Sequence, residues 1–176
     1  MSDDPFEDDT SEEDPFADYP EPRPRIARLG PGRFALEIPK PERRLLRNLL
    51  PDLGYLVETR DPDTKRLFPA AYHDDPEKEA EYQRLMAGDL AAGRLAAIET
   101  VEKTIDEPEI DLPALERWME AINSLRLVLG TRLEVGEDLP MLEVDDPDAP
   151  AYAVYEYLGW LMEQAVRAMS EDLAQF

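Results

Sequence analysis

Trp118-Met119-Glu120-Ala121-Ile122-Asn123-Ser124-Leu125-Arg126-Leu127-Val128-Leu129-Gly130-Thr131-Arg132-Leu133 is the stretch on which the reading of this chain turns. It reads as a helix with apolar residues on nearly every side, and such a helix belongs in a core. It also carries Asn123 and Arg126, one turn apart and therefore on one face. An unpaired buried polar group costs ~1–3 kcal/mol and a buried charge more, so both side chains need partners or an edge. Two readings stay open for them: a polar network that ties the central helix to its neighbours, and a position that binds a partner or lines the pocket of a small-ligand-binding protein or an enzyme of unknown type.

Outward from this helix, Asp111 is its N-cap, and Leu115, Trp118, Met119, Ile122, Leu125, Leu129 and Leu133 recur at threes and fours. Beyond it, the turn-rich segment Gly136 to Pro150 leads to a last helix over Ala151 to Leu173. Its expected buried seam is Tyr155, Leu158, Met162, Val166 and Met169. Upstream, Asp75 caps a helix with Pro76 in its first turn and Tyr82, Leu85 and Met86 facing inward. Gly88-Asp89 is expected to end that helix and cap a third, with Leu90, Leu95, Ile98 and Val101 as its apolar face. An earlier helix follows Pro39-Lys40-Pro41. Its leucines at 45, 46, 49, 50, 53 and 56 stay in phase across Pro51, which predicts one helix kinked at the proline. A single turn is expected near Lys65 to Phe68. At the front, Arg25 to Leu29 and Arg33 to Ile38 flank Gly30-Pro31-Gly32 as a hairpin. Two strands alone are marginal, so the hairpin should lie on the helices or pair with its copy in a homodimer. The fold class is mainly α: a bundle of four to five helices with an N-terminal β-hairpin.

Charge divides the chain. Residues 1–22 hold ten acids and no base, residues 23–47 hold eight bases against two acids, and the remainder is strongly acidic within a net charge of −22. Asp4-Pro5-Phe6-Glu7-Asp8 is echoed by Asp14-Pro15-Phe16-Ala17-Asp18 in a segment too polar to order itself. The division expected is therefore an acidic disordered tail, 1–22, and one helical domain, 23–176. With no cysteine, disulfides, thiolate metal sites and cysteine nucleophiles are excluded. The N-terminus lacks the basic and apolar character of a secretory signal, and no run reaches the ~18 apolar residues of a membrane span. The expectation is a cytoplasmic protein without membrane contact.

No glycine-rich phosphate loop, HExxH or GxSxG occurs, so no catalytic residue, metal or cofactor is assigned. His73, the sole histidine, reads as a loop residue beside Asp74 and Asp75. The acids Glu134, Glu137, Asp138, Glu143, Asp145, Asp146 and Asp148 lack EF-hand spacing and read as a solvated loop. Trp118, Trp160, Tyr152, Tyr155 and Tyr157 read as core at helical spacing. Lys40, Arg43, Arg44 and Arg47 share one face of the first helix, and Arg43, Arg44, Arg47, Asn123 and Arg126 are the partner-binding candidates. Nucleic acid is a rival partner for Arg25, Arg28, Arg33 and the helix arginines. The acidic remainder repels phosphate and disfavours direct DNA binding. The three charge blocks suggest that residues 1–22 cover the basic hairpin and first helix until a partner displaces them.

Several of these pieces resemble one actinobacterial family. They are Glu42-Arg43-Arg44-Leu45-Leu46-Arg47-Asn48-Leu49-Leu50, Asp61-Pro62, Arg66-Leu67-Phe68-Pro69-Ala70-Ala71-Tyr72, Glu81-Tyr82, Trp118 and Ile122 to Gly130. The resemblance, over residues 25 to 170, is to the AosR-like family, once a domain of unknown function and now called after oxidative-stress transcription regulators. It implies a non-enzymatic regulator that acts by protein contacts with a sigma factor or RNA polymerase. The family's proposed thiol switch cannot carry over to a chain without cysteine.

Overall fold

The structure is a computed structural model, and it describes residues 24–136 and 146–174. Chain order is β1 (Ile26–Gly30), β2 (Arg33–Leu36), α1 (Lys40–Thr59), a 3-10 helix (Pro62–Leu67), α2 (Pro76–Thr104), β3 (Glu109–Asp111), α3 (Leu112–Arg132) and α4 (Ala149–Leu173). The architecture is mainly α with a small antiparallel sheet.

Apolar character all round places α3 at the centre. It packs against α2, α4, the 3-10 helix and α1. Leu115, Trp118, Ile122, Leu125 and Val128 are buried on it, and the indole Nε1 of Trp118 donates to Thr104 Oγ1 at 2.8 Å. Its N-cap is Asp111, whose carboxylate accepts from the Ala114 N–H at 2.9 Å. Asp75 caps α2 in the same way, through the Lys78 N–H at 3.1 Å. Helix α1 runs unbroken through Pro51 and buries Leu46, Leu50, Leu53, Leu56 and Val57. It ends at Arg60, which takes the left-handed conformation with φ 54°.

The hairpin forms, with Ile26 opposite Leu36 and Arg28 opposite Phe34. Gly32 at φ 64° supplies the positive φ of its turn. β2 is the middle strand, because β3 pairs on its other side with Phe34 opposite Ile110. β1 lies against α4, whose Gln164 side chain accepts from the Arg25 and Ile26 N–H groups. A side chain thus covers backbone donors that an edge strand otherwise exposes.

Four expectations are corrected, among them Trp160, which reads as core in the sequence but is exposed on α4. Helix α2 does not break at Gly88-Asp89 but continues to Thr104. Interior glycine costs ~1 kcal/mol, which packing along one long helix outweighs. Leu85 and Met86 do not face inward: they are 63% and 39% exposed among the described residues. On α4 the buried seam is Leu158, Leu161, Ala165, Ala168 and Asp172, whereas Val166 is exposed. Periodicity favours large apolar residues, but the face that meets β1 and α3 closely is the one with alanines. β3 was hidden in a polar stretch. The expected acidic tail, and Glu137, Asp138, Glu143 and Asp145 of the acidic loop, lie outside the described residues.

Candidate functional site

Ion pairing inside the fold decides what the basic segment offers to the outside. Arg25 holds Glu42 through Nε and Nη2, the latter at 2.9 Å, and Glu42 also accepts from the Tyr157 hydroxyl at 2.9 Å. That contact with Glu42 raises the Arg25 pKa above the ordinary guanidinium value. Arg28 donates to Asp172 at 2.8 Å. Arg33 forks onto Glu109, which is held below the usual carboxylate range by this partner. All three hairpin arginines are therefore occupied by carboxylates of the same chain.

The first turns of α1 differ. Arg43 donates from Nε to the Ile38 carbonyl at 2.7 Å and from Nη1 to Asp106 at 3.2 Å. Arg47, one turn on, donates to the other oxygen of Asp106. Lys40 and Arg44 are exposed and have no polar partner among the described residues. Together with Asn48 these groups line an open cleft of about 450 Å³. Four cations surround one carboxylate there, so the cleft keeps a positive surplus on a chain whose net charge is −22. Asp106 shows what the cleft's geometry can hold: two arginines at i and i+4 share one carboxylate, beside Lys40 and Arg44.

Arg43, Arg44 and Arg47 are thus brought together, while Asn123 and Arg126 lie elsewhere, on α3. Arg126 stacks its guanidinium on Tyr155, 4.7 Å from the ring centroid, and its buried Nε has no acceptor among the described residues. Gly159 gives it room: a Cβ there would lie 3.4 Å from that Nε. Asn123 is half-buried. The polar tie across the core belongs to neighbours that sequence reading passed over. Ser124 Oγ accepts from Arg94 at 3.0 Å, and Arg94 also donates to the Leu67 carbonyl at 2.7 Å. Burial lowers the Arg94 pKa. Phe68 lies against Arg60 and Arg94, with guanidinium carbons 3.8 and 5.7 Å from its centroid. Nothing in the pattern of α2 marks Arg94, since half-buried arginine and solvated arginine look alike in sequence. Asp106 was equally unmarked.

A second, smaller hollow of about 60 Å³ lies between α1, α3 and α4, lined by Leu49, Leu53, Leu125, Val128 and Leu158 with Arg132 among its polar residues. Neither hollow is lined by Asn123 or Arg126. His73 is exposed, and among the described residues no three metal-ligating side chains converge. No helix among them is long and apolar enough to cross a membrane.

Fold and site define a class: a helical protein with a short antiparallel sheet and a cation-rich, carboxylate-holding cleft on its first helix. The chain belongs to the family described as a domain of unknown function, DUF2017, which it matches over residues 7–169. It is 30% identical over 135 residues to the protein named "Putative oxidative stress regulator AosR" of Mycobacterium leprae (strain TN), covering 74% of this chain. The alignment spans 60% of that relative's length. The resemblance to the AosR-like family is thereby shown. No solved structure matches the chain.

Proposed function

We propose that this protein is a non-enzymatic regulator of oxidative-stress transcription that works by docking on a protein of the transcription machinery, a sigma factor or RNA polymerase. The α1 cleft is its docking surface, and an acidic segment of the partner is what the cleft receives. The observation that carries this reading is the shared grip of Arg43 and Arg47 on Asp106 beside Lys40 and Arg44, which have no polar partner among the described residues. The name of the mycobacterial relative supports the regulatory part.

Nucleic acid is the weaker reading. Arg25, Arg28 and Arg33 are committed to Glu42, Asp172 and Glu109, so few cations remain to release counterions from phosphate.

The test is retention of purified RNA polymerase core, and of the same core with individual alternative sigma factors, on the immobilised full chain. One of these should be retained, and Arg44→Glu should weaken retention by about tenfold, as rim charges typically govern association. If none is retained, or if the variant binds as well as the parent, the reading is wrong.

A further inference from the structure

Whatever protein the cleft finally receives, its first occupant is already encoded in the chain. We propose that residues 1–22 bind in cis to the α1 cleft, their carboxylates meeting Lys40 and Arg44 beside the Arg43–Asp106–Arg47 cluster. This rests on the proposed function only in taking the same cleft as a binding surface.

Charge is the first argument. Residues 1–22 hold ten acids and no base, and the cleft is where the described basic segment keeps cations without partners. The hairpin does not compete, because Arg28 and Arg33 are already paired and Arg25 is held by Glu42. The cover expected over hairpin and helix together thus narrows to one face of α1.

Connection is the second. Arg25 is tied to Glu42 in the first turn of α1, so the segment joins the described chain next to the helix that carries the cleft. Lys40 and Arg44 project from another side of that turn, across a helix ~10–12 Å wide with its side chains. Four extended residues span roughly that distance at ~3.3 Å each, which leaves Asp14 and Asp18 with chain to spare.

Competition is the third. An anionic molecule approaching from solution meets the field of a chain with net charge −22, whereas a tethered segment is held near the cleft at an effective concentration on the order of millimolar. Asp106 demonstrates the kind of contact the segment would make: an aspartate of this chain gripped by cations of α1.

Because the chain has no cysteine, Ser11→Cys gives a unique attachment point for a spin label on the full-length protein. Paramagnetic loss of amide signal is then read along α1. Signals of Lys40 to Asn48 should be lost, and should return in high salt and in the Lys40→Glu, Arg44→Glu double variant. Both side chains are exposed and have no partner among the described residues, so the variant keeps its fold. Undiminished α1 signals, or equal loss in the double variant, overturn the proposal. Loss seen only when labelled chains are mixed with separate isotope-enriched chains also overturns it, by showing contact between copies. No partner protein is present in this experiment, so its failure leaves the docking reading standing, and failed polymerase retention leaves this one standing.

Discussion

Arg28 Nε and Asp172 Oδ1 lie 2.8 Å apart, joining the front strand to the end of the last helix across 144 residues of sequence. The same carboxylate accepts from the Gly32 N–H at 3.1 Å, so one buried acid holds both strand and turn. Breaking a buried pair by removing one partner strands the other charge and costs ~3–5 kcal/mol. Asp172→Ala should destabilise the protein by about that much, seen as a lower urea midpoint. Replacing both, as Arg28→Met with Asp172→Leu, should recover most of the loss. A loss below ~1 kcal/mol for the single variant would mean that water already solvates the pair.

Trp118 is fully buried and depends on Thr104 for its one hydrogen bond. Thr104→Val keeps the shape but leaves the indole N–H without an acceptor, at ~1–3 kcal/mol. Chemical denaturation followed by tryptophan fluorescence measures it, and an unchanged midpoint would contradict the contact.

Gly88 sits inside α2 at φ below zero, with no atom within 4 Å of the position its Cβ would take. Gly88→Ala should therefore stabilise the protein by ~0.5–1 kcal/mol through helix propensity alone. Destabilisation would indicate that the helix does break there.

Burial first, and the bond to Glu42 second, push the Tyr157 pKa well above that of ordinary tyrosine. Its folded-state pKa is raised, so the stability it contributes is full below the unfolded tyrosine pKa of ~10 and is lost as pH rises through the folded value. Absorbance titration of the native protein should show one late tyrosinate component that Tyr157→Phe removes. The variant's stability should also fall less steeply above pH ~10. A titration identical in parent and variant would refute this.

Duplex DNA tests the pairing scheme in the basic segment. With Lys40 and Arg44 as the unpaired cations of α1, any binding should be weak, and its log–log salt slope should stay near about −2. A slope of about −5 or steeper would show that Arg25, Arg28 and Arg33 leave their carboxylates for phosphate.

Elements with a strong period or a local cap were legible from residues alone. Asp75 and Asp111 name the starts of α2 and α3, the leucines of α1 stay in phase through Pro51, and Gly30-Pro31-Gly32 marks the hairpin turn. The basic face of α1 was legible for the same reason, since Lys40, Arg43, Arg44 and Arg47 repeat at helical spacing. Its neighbour Asp106 was not, because 59 positions separate it from Arg47. The failures at Gly88 and along α4 also share a cause. Glycine and alanine are read locally as weak signals, yet a helix end or a buried face depends on what packs against it.

The amino-acid order by itself determined a central apolar helix, its capped neighbours and a chain divided into acidic, basic and acidic parts, because helix period, capping and charge act over a few residues. Only the tertiary structure decided which cations stay free. Pairing of Arg25 with Glu42, Arg28 with Asp172 and Arg33 with Glu109 depends on distances between elements remote in sequence, and electrostatic contacts follow distance in space.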